Sequence, residues 1–148
     1  MSYANRVGYF SIKFRFIGLL GDFKDGNRHE LETVEEKENY MKKCLAAIEA
    51  LHKDNPSIAK ILVTADSPSF LKRVKALPYV YIVPGNVVHM DNVTTADYNV
   101  HLKSFLDFLM VSNAEKCYSY CYGRMFIWSK FAKTAALIGG KEYIEIVE

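Results

Sequence analysis

Holding a phosphate takes guanidinium or ammonium donors, small residues that let backbone approach closely, hydroxyls and open helix amino termini. Residues of these kinds occur in four short stretches, each following an apolar run: Arg15, Gly18, Gly21 and Asp22; Asp66 and Ser67; Gly85, Asn86, His89 and Asp91; and Gly123, Arg124, Ser129 and Lys130. Taken together they suit a diphosphate. They contain no nucleophile paired with a base, and the chain has no G-x-G-x-x-G, no Walker lysine loop and no G-x-S-x-G elbow. The four histidines and three cysteines show none of the paired spacings of a zinc site. Cys117 and Cys121, on one extended strand, would stand about 13 Å apart, beyond disulfide reach.

The elements that must position these residues can be read from periodicity. From Val7 to Phe16, Phe10, Ile12, Phe14 and Phe16 alternate with Tyr9, Ser11, Lys13 and Arg15, the period of a strand. Val34 to about Asn55 carries Met41, Cys44, Leu45, Ile48 and Leu51 on one helical face, and Pro56 stops it. Ile61 to Thr64 reads as a strand buried on both faces. Asp66 or Ser67 then caps a helix with Pro68 at its first position and Phe70, Leu71, Val74 and Leu77 on its inner side. Val80–Val83 is a third strand ended by Pro84-Gly85-Asn86. A helix from about Tyr98 to Ser112, a strand near Lys116 to Tyr120, a helix from about Ser129 to Ile138 ended by Gly139-Gly140, and a strand from Tyr143 to Val147 complete the chain. Strands alternating with helices predict an α/β, Rossmann-like domain: a mostly parallel sheet with helices on both faces, and ligands at the carboxyl ends of the strands.

Composition sets the outer bounds. The 148 residues are 50% apolar and 24% charged with a net charge of +2, an ordinary globular balance for a single domain, without the basic block that nucleic acid or an anionic membrane attracts. The amino terminus has no apolar h-region and no stretch approaches the ~18 uninterrupted apolar residues of a membrane helix, so a cytoplasmic domain without a transmembrane segment is expected.

Four segments, in order, resemble the fucosyltransferase superfamily, which joins the α-1,2-, α-1,6- and protein O-fucosyltransferases. Ile12 to Phe23 is similar to its His-x-Arg-x-Gly-Asp motif; Leu62 to Leu71 to its "v-x-T-D-s-x-x-f" strand and turn; His101 to Ser112 to its "D-l-x-x-m-s" helix; Met125 to Ala136 to its "S-x-F-s-x-x-A" segment. The resemblance implies the carboxyl-terminal, donor-binding half of a two-domain GT-B glycosyltransferase, taking a GDP-sugar, usually GDP-fucose, without a metal or other cofactor. It puts Arg15 on the diphosphate as the catalytic group, Asp66 on the nucleoside, Ser129 on phosphate at a helix amino terminus and Phe131 against the nucleoside. Lys13, Asp22, Ser67 and Lys130 belong to the same donor site. Lys13 stands where the family has histidine and can pair a phosphate but cannot accept a proton while charged. An amino-terminal acceptor-binding half is absent from the resemblance, so transfer by this chain alone is not expected.

Plainer readings stand beside these. Arg15 could be a surface arginine at a strand end. Asp66 could be a helix cap, and Asp22 could organise the turn before Asp25-Gly26. His89 and Asp91 could be loop residues without a duty. Lys103 and Asp107, four apart, read as an exposed ion pair on a helix. Ser129 reads as a helix cap under either view, and Tyr118 to Tyr122 as strand packing. The alternative function is a non-catalytic α/β interaction module or a degenerate glycosyltransferase remnant, which would expose an apolar patch.

Overall fold

The computed structural model describes residues 8–22, 30–87, 98–127 and 129–148. Its elements run β1 (Tyr9–Phe14), α1 (Val34–Asp54), β2 (Lys60–Ala65), α2 (Pro68–Val74), β3 (Val80–Tyr81), α3 (Tyr98–Asn113), β4 (Lys116–Cys121), α4 (Phe131–Gly139) and β5 (Glu142–Val147). The five strands form one sheet in the order β3-β2-β1-β4-β5, every neighbouring pair parallel. This is the expected Rossmann-like arrangement. The chain winds outward from β1 to β2 and β3, then returns across to β4 and β5, so the strand order reverses between β1 and β4.

The alternation in β1 divides the molecule into two layers. Phe10, Ile12 and Phe14 are buried in the larger core with Tyr40, Cys44, Ile48 and Leu51 of α1 and Phe70, Leu71 and Val74 of α2. Phe14 meets Phe70 edge-on at 4.9 Å. The other face, with Leu62, Val83 and Cys117, is covered by Val111 of α3 and by Ala132, Ala135 and Ala136 of α4. Thus α1 and α2 cover one face, α3 and α4 the other. The three cysteines are buried and unbridged.

Local chemistry explains the boundaries. Thr33 and Glu36 form a reciprocal capping box at the start of α1. Ser67, and not Asp66, caps α2, accepting the Phe70 N–H at 3.1 Å, with Pro68 in the first turn. Gly140, at φ +66°, closes α4 in the left-handed conformation. β3 is shorter than the expected Val80–Val83: only Val80 and Tyr81 pair with β2, and the Val83 carbonyl accepts the Lys103 ammonium at 2.8 Å. No helix among the described residues is long and apolar enough to cross a membrane.

Candidate phosphate site at the strand carboxyl ends

β1 lies centrally, and its carboxyl end delivers Lys13 and Arg15 to the point where the strand order reverses. The Arg15 guanidinium lies over the Phe126 ring at 5.3 Å, and its carbonyl accepts the Phe126 N–H at 3.0 Å. These contacts tie the end of β1 to the loop after β4. The guanidinium Nε is enclosed and has no hydrogen-bond partner among the described residues. The same holds for the Ser129 hydroxyl. Ser129 does not cap α4, contrary to expectation: the capping position is Lys130, in helical conformation and without a side-chain hydrogen bond to the helix. The first turn of α4 therefore receives no side-chain cap from Lys130 or, among the described residues, from Ser129. Lys13, Arg15, Phe126 and Ser129 line one small cleft with Ser119, Tyr120 and Glu145.

Lys13 borders this cleft with its ammonium 4.6 Å from the centre of the Phe131 ring. Burial pushes its amine down from the ordinary 10.5; Asp66 and Asp107 oppose that shift, while Arg15 and Lys103 add to it. The neighbouring carboxylates are engaged elsewhere. Asp107 pairs with Lys103 at 3.1 Å, and this pair is buried, with side chains only 4% and 11% exposed for Lys103 and Asp107. That corrects the exposed ion pair expected from the sequence: the 103, 107, 111 stripe of α3 faces the sheet. Burial raises the Asp107 carboxyl despite the pull of Lys103.

Asp66 spends both carboxylate oxygens on backbone, accepting the Phe16 N–H at 2.7 Å and the Ile17 N–H at 3.0 Å. This clamp holds Ile17 at φ +48°, a left-handed conformation that a β-branched residue adopts only under constraint. Gly18 and Gly21, at φ +73° and +79°, continue the turn. Asp22 then accepts the hydroxyls of Ser67 and Ser69 and the Ser69 N–H, fastening the loop after β1 to the start of α2. Asp22, Asp66 and Ser67 thus form a second group that shapes the β1 loop, beside the group of Lys13, Arg15, Ser129 and Phe131. Lys130 is exposed at the mouth of α4. Gly85 lies against the Lys103 side chain, and the Arg124 N–H donates to the Tyr40 hydroxyl at 2.9 Å. His89 and Asp91, and the turn at Asp25-Gly26, lie outside the described residues.

Two cavities lie toward the carboxyl ends of the strands. The cleft at Arg15 and Ser129 has about 10 Å³, the room of a single water molecule. A larger cleft of about 470 Å³, between α2 and the residues after β3, is lined by Leu71, Lys72, Lys75, Ile82, Asn86 and Lys103. The two clefts share no lining residue, so the unpaired donors and the open volume are separate. Sequence reading passed over Phe126, which carries the Arg15 guanidinium, and took Lys103, which borders the larger cleft, only as half of an exposed ion pair. The signal for Lys103 was present in α3, where the apolar stripe of Phe105, Leu106 and Leu109 competes with the stripe that holds the charges. Comparison of the chain with protein-family models, curated proteins and solved structures finds no match.

Proposed function

We propose that this domain binds a nucleotide sugar, with the diphosphate received at the carboxyl ends of β1 and β4, and that it serves as the donor-binding half of a fucosyltransferase-like enzyme taking GDP-fucose or a related GDP-sugar. The observation that carries the reading is the convergence of unsatisfied donors: Arg15 Nε and Ser129 Oγ, enclosed and unpartnered among the described residues, beside an α4 amino terminus that its capping residue Lys130 does not bond. A buried donor without a partner costs about 1–3 kcal/mol, so its retention points to a ligand or water that satisfies it. In transfer, Arg15 would neutralise the charge that grows on the diphosphate as the glycosidic bond breaks. Lys13 would add a second cation beside Arg15. Phe131 and the larger cleft offer apolar surface for the nucleoside. The acceptor would come from an amino-terminal half outside the resemblance.

Calorimetry with GDP, UDP and ADP tests the reading. GDP should bind best, and Arg15→Ala should weaken it by about 1.5–3 kcal/mol, the worth of a hydrogen bond to a charged group. No binding of any nucleotide at millimolar concentration, or UDP ahead of GDP, would overturn the assignment.

A further inference from the structure

The two helical layers differ in a way that bears on partners. α1 and α2 expose Glu35, Glu36, Lys42, Lys43, Glu49, Lys53, Lys72 and Arg73, a solvated face. α3 has its pattern inverted: Lys103 and Asp107 point inward, while Phe105 and Leu109 are 54% and 56% exposed and Leu106 is also exposed. A helix apolar on its outer side is ordinarily covered. α4 adds Leu137 and Ile138, 80% and 68% exposed. The two helices are packed side by side, with Phe108 edge-on to Phe131 at 5.5 Å and Ser112 against Gly139. Their outer surfaces therefore adjoin.

We propose that a second copy of this chain covers the outer face of α3 and α4, forming a twofold dimer. Charge is compatible with this occupant and disfavours a strongly acidic or basic one. Among the described side chains of α3 no exposed residue is charged, and α4 exposes only Lys133. An acidic or basic partner would find almost no counter-charge here, whereas a second copy presents the same neutral surface and meets no like-charge repulsion. Area agrees. Taking a fully open large apolar residue as about 200 Å², the five side chains present roughly 600 Å², the upper end for one patch on a monomer and close to the ~800 Å² that each partner gives to a stable interface. The dimer would place the charged α1 and α2 layers outermost, and it does not depend on the nucleotide-sugar reading.

Sedimentation velocity on the intact chain, over a concentration series from about 1 μM to 1 mM, tests the dimer. A concentration-dependent dimer is expected. Leu109→Glu combined with Ile138→Glu should raise its dissociation constant at least tenfold with the thermal melt of the monomer unchanged, since both side chains are already open to water. Phe105→Asp provides a second disruption should that pair misfold. Ala50→Glu, on the exposed side of α1, should leave the dimer intact. A wild-type monomer throughout the series overturns the proposal. So does a dimer that survives both disruptions, or a monomer that floats with neutral phosphatidylcholine vesicles, which would give the face to lipid.

Discussion

Lys13 is held, half-buried, at the end of a central strand where burial disfavours its ammonium form and both nearby carboxylates are committed to other partners. Among the described residues it forms no ion pair, only a contact with the Phe131 ring. Such a residue is expensive in the empty protein and useful once an anion is bound, so stability and function should separate. Lys13→Met should raise the stability of the unliganded protein by about 1–2 kcal/mol, as replacement of a buried charge by an apolar group often does, while abolishing GDP binding. The direction with pH follows from proton counts. Burial lowers the folded-state amine below its ordinary 10.5, so between those limits the unfolded chain binds more protons and wild-type stability rises with pH. The advantage of the Met variant should therefore shrink in urea denaturation run from about pH 7 to 9.5, below the range where tyrosines ionise. An advantage that grows with pH would mean that Lys13 is not the group responsible.

Among the elements, α4 combines the most demands in the fewest residues. Its amino terminus opens on the candidate site, its inner side is reduced to Ala132, Ala135 and Ala136 so that it can lie close to the sheet, and its last turn abuts α3. That approach depends on Gly139, where an added Cβ would overlap the Ser112 carbonyl, a backbone atom that cannot rotate away. Gly139→Ala should cost about 1–3 kcal/mol, the range for overpacking a tight contact, measured as a lower urea midpoint with unchanged slope. Retained stability would show that α3 and α4 can slide apart without penalty. Gly139 and Gly140 look alike in sequence as a helix stop. Their duties differ, since the first allows close approach to α3 and only the second adopts positive φ. The distinction arises from a neighbour some 27 positions away in the chain, Ser112, which periodicity within α4 cannot register.

At the scale of the whole molecule, the unpaired donors lie in a cleft with room for about one water, and the open cleft of about 470 Å³ shares no lining residue with it. A diphosphate can reach Arg15 and Ser129 only after Arg15 and Phe126 separate. GDP association in stopped flow should accordingly level off as concentration rises, the opening step becoming limiting. A rate linear up to the ~10⁷ M⁻¹s⁻¹ of unhindered docking would indicate binding outside that cleft. The sequence by itself determined the kind and order of the elements and the inner faces of α1 and α2, because period-two and helical patterns are written among near neighbours. It also marked Lys13, Arg15, Asp22, Asp66, Ser67 and Ser129 as chemically apt. The tertiary structure decided what each one does. Setting β1 between β2 and β4 brings Asp66 within reach of the Phe16 and Ile17 amides and draws Phe126 over Arg15. Packing α3 against the sheet turns Lys103 and Asp107 inward and leaves Phe105 and Leu109 outside. Those outcomes depend on contacts between segments far apart in the chain, where the free energy of burial is settled by which surfaces meet and not by the pattern within either one.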